Sequence, residues 1–84
     1  MAEFKSLIDQ RMLREIADKG QAIYDRLVKE EGLEEKYYGL FIEINVDTGE
    51  YVIAKTDLEA LDLARKKFPG ARCFSAQIGI PTYV

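Results

Sequence analysis

The chain has 84 residues and a mass of 9.6 kDa, with 12 Lys plus Arg against 15 Asp plus Glu, one cysteine and no histidine. A net charge of −3 and a pI near 4.9 make it a poor electrostatic match to phosphate backbones. The lone Cys73 excludes an internal disulfide, and the lack of histidine excludes a Cys/His zinc cluster.

These bounds describe one small domain, residues 1–84, in a reducing compartment. A chain of this length buries only about 60% of its unfolded surface, so self-association or a partner is the expected reinforcement. The charges are not segregated: residues 1–36 hold 7 basic and 9 acidic groups, and residues 37–84 hold 5 and 6. The first ten residues lack an unbroken apolar run, and no window reaches membrane-spanning length, so a cytoplasmic protein is expected.

Residues 3–31 carry apolar side chains at Phe4, Leu7, Ile8, Met12, Leu13, Ile16, Ala17, Ile23, Tyr24, Leu27 and Val28. Steps of three and four predict a long helix within an N-terminal segment 1–32. Gly20 interrupts the pattern, where it either kinks the helix or admits a close neighbour. Gly32 is a natural stop, and residues 33–36 read as a short charged connection.

Residues 37–84 form the second segment. Near-alternation of Tyr38, Leu40, Ile42, Ile44 and Val46 predicts a strand over residues 38–46. Asp47 and Thr48 suit the middle of a type I turn, with Gly49 left-handed after them, and a second strand follows from Tyr51. That turn sets Val46 opposite Glu50, Ile44 opposite Val52 and Ile42 opposite Ala54. One face is then Leu40, Ile42, Ile44, Val52 and Ala54, and the other Phe41, Glu43, Asn45, Tyr51 and Ile53.

Thr56 and Glu59 form a capping box, opening a helix to about Phe68 with Leu58, Leu61, Ala64 and Phe68 on one stripe. Arg65, Lys66 and Lys67 complement its C-terminal dipole, and Pro69-Gly70 ends it. A third strand is predicted over residues 72–78, with Phe74, Ala76 and Ile78 on one face, followed by an extended tail over residues 80–84. The fold class is α+β: an N-terminal helix followed by β-β-α-β, with a three-stranded, mainly antiparallel sheet. A right-handed crossover places strand three beside strand one.

Three stretches bear on chemistry. Asp47-Thr48-Gly49 matches the catalytic triplet of aspartic proteases, which points to a small dimeric hydrolase using Asp47. The same three residues are expected in a hairpin turn on conformational grounds, and the long helix has no place in an all-β protease. Asp47, Thr48 and Glu50 could offer oxygens to calcium, but the alternating acids of a calcium loop are missing. Arg65, Lys66, Lys67 and Arg72 form a small basic patch, suited to weak nucleic-acid binding or simply to a solvated helix end. Glu43, flanked by apolar strand residues, would have a raised pKa if covered. No cofactor, metal or catalytic residues are expected.

Residues 39–80, GLFIEINVDTGEYVIAKTDLEALDLARKKFPGARCFSAQIGI, resemble a loosely defined group of small, uncharacterised bacterial β-β-α-β proteins. The common elements are a strand entered by Gly, the Asp-Thr-Gly-Glu-Tyr hairpin, the capped helix, Pro-Gly, and a final strand ending Ile-Gly. Some of that group look like antitoxin-type partners encoded beside toxin genes. The resemblance covers about half the chain, leaves out the N-terminal helix, and implies no functional residues.

The expected function is therefore a non-enzymatic protein-interaction module, antitoxin-like in kind, partnered by a second copy or by a neighbour-encoded protein. The expected interface is the N-terminal helix seam Leu13, Ile16, Gly20, Ile23 and Leu27, whose steps suit a two-fold contact. The bland alternative is that this helix folds entirely onto its own sheet.

Overall fold

The computed structural model describes the backbone of residues 2–81 and the side chains of residues 10–81. The last three residues of the expected tail, and the side chains of Phe4, Leu7 and Ile8, lie outside that range. The elements in order are α1 (Ala2–Glu31), α2 (Leu33–Tyr37), β1 (Phe41–Asn45), β2 (Tyr51–Ala54), α3 (Asp57–Lys67) and β3 (Cys73–Gln77). The fold is α+β. Its three strands run in the order β2-β1-β3, antiparallel throughout, with β3 beside β1 as the crossover predicts.

Gly32 ends α1 in the left-handed region at φ 65°. Residues 33–36 are not merely the short charged connection expected from the sequence. The chain makes one further helical turn, α2, in which the Lys36 N–H donates to the Gly32 carbonyl at 3.1 Å. Leu33, only 1% exposed, drives this by anchoring the turn in the core. Glu34 and Glu35 at its start and Lys36 at its end complement its dipole.

The hairpin forms with Gly49 left-handed at φ 83°, but its register differs from the expected one. Val46 leaves the β1–β2 ladder and donates its N–H across to the Arg72 carbonyl at 3.1 Å. Asn45 closes the loop instead: its carbonyl accepts from the Gly49 N–H at 2.7 Å, and its side-chain oxygen accepts from the Asp47 N–H at 3.0 Å. The loop thus takes four residues rather than three. Ile44 faces Tyr51, Glu43 faces Val52, Ile42 faces Ile53, and Phe41 faces Ala54.

A one-residue shift in pairing exchanges the faces of one strand relative to the other. Ile42 and Ile44 therefore share a face with Tyr51 and Ile53, not with Val52 and Ala54. On β3, Ala76 and Phe74 lie opposite Ile42 and Ile44 and join the same face. Tyr24 and Leu27 of α1 close over it, and with Leu33 and Ile78 they make the main core.

The opposite face holds Phe41, Glu43, Asn45, Val52, Ala54, Cys73 and Ser75, covered by α3. Ala60 and Ala64, one turn apart, are the buried residues of that helix, and their small side chains bring it close to the sheet. Leu58 sits about 160° around the helix from Ala60. It is 77% exposed and does not join the expected stripe. Thr56 caps α3 by accepting from the Glu59 N–H at 3.1 Å, and its hydroxyl meets the Glu59 carboxylate at 3.1 Å.

Gly20 does not kink α1, which is continuous. It is buried because the Phe74 ring of β3 lies directly against its Cα, and a Cβ there would overlap the ring and the Phe74 Cβ. Overpacking of this kind costs about 1–3 kcal/mol, which outweighs a gain of about 1 kcal/mol in helix propensity. Gly20→Ala is thus expected to lower the unfolding free energy in urea. In a Phe74→Gly background, which removes the Phe74 Cβ together with the ring, the same change should become neutral or favourable. Additive effects of the two changes would contradict the close contact.

Candidate functional site

Thirty residues of helix make a rod about 45 Å long, whereas a five-residue strand spans roughly 17 Å. The longest dimension of the molecule, 45 Å against 24 and 22 Å, is that of α1. The helix therefore outruns the sheet, and the expected interface seam divides where the sheet ends. Leu27 is buried in the main core, Gly20 lies under Phe74, and Ile23 is half-buried against the same core. Ile16 is half-buried, and Leu13 is 63% exposed.

Seven-residue steps keep Leu13, Gly20 and Leu27 within about 20° per heptad of one line. Leu13 thus continues the core-facing line past the last strand, beside Met12 at 42% exposure. Three of the five seam residues stabilise the chain's own fold, and only Leu13 with part of Ile16 stays available.

An ion network marks the point of departure. The Arg72 guanidinium forks onto Asp47, Nη2 to Oδ1 at 2.7 Å and Nε to Oδ2 at 3.3 Å, and its Nη1 reaches Glu15 Oε1 at 2.8 Å. Lys19 shares that Glu15 oxygen at 3.2 Å. The hairpin loop, the entry to β3 and the middle of α1 are thereby tied together. No periodicity reports these partners, which lie 25 and 57 residues apart in sequence.

The network redefines two stretches singled out in the sequence. Asp47 is bound to Arg72, whose hydrogen bonds hold its carboxyl below the usual range; Glu15 is lowered by Arg72 and then Lys19. Thr48 and Glu50 bond to each other at 3.2 Å rather than converging with Asp47. In the basic patch Arg72 is neutralised by two carboxylates, and Lys66 pairs with Asp62 at 3.1 Å.

A second group lies under α3. Glu43 is 1% exposed, and the Ser75 hydroxyl opposite it on β3 donates to its carboxylate. Burial lifts the Glu43 carboxyl above its usual value, the Ser75 hydrogen bond partly reverses this, and Asp57 adds a smaller upward push. The neighbouring Cys73 thiol is raised by burial and then by Glu43, which makes it a weak nucleophile.

The third feature is a cleft of about 400 Å³ between α1, α2 and the end of β3. Tyr24 forms its polar floor. Its hydroxyl donates to Glu34 at 3.0 Å and accepts from the Gly79 N–H at 3.0 Å. Burial raises the Tyr24 pKa, so the hydroxyl remains a donor. Nearby, the Tyr38 ring lies over Gly79 while remaining 68% exposed.

Among the described residues no three His, Cys, Asp or Glu side chains are grouped to hold a metal ion, and no helix is long and apolar enough to cross a membrane. No protein-family model, curated protein or solved structure significantly matches the chain.

The two carboxylate groups respond to pH with opposite sign. Glu43 binds its proton more tightly when folded, so its contribution falls as pH rises from its unfolded value, about 4.3, through its higher folded value. Glu43→Gln keeps a partner for Ser75 and is expected to raise the melting temperature at pH 7, with the difference shrinking toward pH 4. An unchanged or lower melting temperature at pH 7 would show that burial does not penalise this carboxylate. Asp47 and Glu15 are depressed when folded, so their contribution is full above about pH 4 and lost below it. Arg72→Gln should therefore lower stability at pH 7 and flatten the acid limb of the stability curve; an unaltered acid limb would rule out the network as its source.

Proposed function

We propose that the protein is a non-enzymatic protein-interaction module, antitoxin-like in kind, which offers the free length of α1 to a partner protein in the cytoplasm. The observation that carries this reading is the division of α1. Its second half is closed by the sheet, while Met12 and Leu13 continue the apolar surface into solvent at 42% and 63% exposure. Met12 and Leu13 each lie one turn from the half-buried Ile16, the i, i+4 and i, i+3 spacing used in helix-in-groove recognition. The antitoxin-like form, with a partner encoded by an adjacent gene, rests on the sequence pattern of residues 39–80 alone.

The competing readings have less support from the charges they depend on. A hydrolase using Asp47 needs a carboxylate free to share a proton, and Arg72 holds this one ionised. Nucleic-acid binding at residues 65–72 draws less support, since two of its four cations, Arg72 and Lys66, are paired with carboxylates.

Co-expression with the product of the adjacent gene tests the reading. The expected outcome is that the neighbour alone arrests growth, that the pair co-purifies and restores growth, and that Met12→Glu with Leu13→Glu abolishes both while the circular dichroism spectrum is unchanged. Ile23 is an unsuitable position, because it supports the core. A neighbour that neither arrests growth nor co-purifies overturns the antitoxin-like form. Full binding by the double variant overturns the assignment to α1.

A further inference from the structure

The backbone hydrogen bonds fix which side of each strand is free. Val46 donates to Arg72 at 3.1 Å, and Ile78 donates to Leu40 at 2.7 Å, so even-numbered residues of β1 bond toward β3. Asn45 donates to Glu50 at 2.7 Å, so odd-numbered residues bond toward β2. In an antiparallel pair these roles alternate along the strand. On β2, Val52 and Ala54, opposite Glu43 and Phe41, therefore bond to β1. Tyr51 and Ile53 aim their N–H and C=O groups out of the sheet's free edge.

That edge lacks the usual protection. Natural edge strands are blunted by charges, proline, bulges or a covering element. The β2 sequence Tyr51-Val52-Ile53-Ala54 has no charge, proline or glycine, and all four residues are half-buried. At the other side of the sheet α1 packs over β3, more than over β1. Tyr51 and Ile53 thus stand at the margin of the main core, partly covered and next to unpaired backbone.

We infer that β2 pairs antiparallel with β2 of a second copy across a two-fold axis, joining two three-stranded sheets into one of six strands. The occupant follows from the strand itself. Glu50 precedes β2 and Lys55 follows it, so antiparallel pairing brings the acidic end of one strand to the basic end of the other, whereas parallel pairing would set like beside like. The outward groups of Tyr51 and Ile53 meet those of Ile53 and Tyr51 in the second copy, forming four backbone hydrogen bonds. Tyr51 then lies beside the second copy's Ile53 on the α1 face, an aromatic and β-branched pair of the kind that stabilises sheets. Val52 meets its own counterpart on the axis, in a non-hydrogen-bonded pair where side chains approach most closely. The edge is a different surface from Met12 and Leu13, so this association does not depend on the proposed partner.

Sedimentation equilibrium of the full chain is the test. The wild type is expected at twice 9.6 kDa. Val52→Lys and Val52→Glu, each placing like charges together on the axis, should sediment singly, and an equal mixture of the two should regain the doubled mass. Met12→Glu with Leu13→Glu should leave the doubled mass intact. A wild type that sediments singly, or a Val52→Lys variant that stays folded and doubled, overturns the inference. Should the Val52 variants fail to fold, amide exchange of the wild type decides. The Tyr51 and Ile53 N–H groups should be slow where the mass is doubled and fast on dilution, and fast exchange of both in the doubled species also overturns it.

Discussion

The height of α1 above the sheet is set where the Phe74 ring meets the bare Cα of Gly20. A rod packed on a strand touches it at one level, and that level decides which neighbours reach the interior. With no side chain at position 20, the helix settles low enough for Tyr24 and Leu27 to enter the core with Ile42 and Ile44. Tyr24 then comes within reach of both Glu34 and Gly79, tying the turn after α1 to the end of β3. The same contact point leaves the first half of the helix beyond the sheet, so the fold and its available surface share one cause.

The sheet answers to a similarly local constraint. Asn45 bonds the Gly49 and Asp47 amides, and this holds the hairpin loop at four residues rather than three. Because side chains alternate, that single residue turns Tyr51 and Ile53 toward α1 and leaves Val52 and Ala54 to α3. The α3 side receives Phe41 and Val52 together with small and polar residues and the Glu43 carboxyl, and the α1 side receives Ile42, Ile44, Tyr51, Ile53 and Phe74. The core is accordingly lopsided. One face is dominated by aliphatic and aromatic packing, and the other is a close helix contact over Ala60 and Ala64 with Glu43 enclosed beneath.

Charge is used in two ways across those layers. At the surface Arg72 gathers Asp47 and Glu15 where they remain solvated, an arrangement that fixes loop to helix more than it adds stability. Inside, among the described residues, Glu43 is hydrogen-bonded by the Ser75 hydroxyl alone, with Asp57 as an unfavourable neighbour. A buried carboxylate without a cation is a strain on the fold at neutral pH.

The sequence by itself determined the types and order of every element but α2, because these depend on local chemistry. Helical spacing drew α1 and α3, Thr56 and Glu59 fixed a helix start, Gly49 fixed a turn, and alternation drew β1 and β3. The β2-β1-β3 order followed from the handedness of the crossover. The burial of Glu43 was legible as a conditional, since its flanking residues are apolar. Only the tertiary structure decided the rest. Whether Gly20 bends a helix or receives a ring depends on Phe74, 54 positions away. Whether Asp47 is a free acid depends on Arg72, which no spacing rule links to it. The hairpin register turned on an Asn45 side chain that competes with the ladder, and the seam from Leu13 to Leu27 was divided by where a short sheet ends beneath a long helix. Periodicity reports which residues share a face; it carries no information on how far the opposing surface extends.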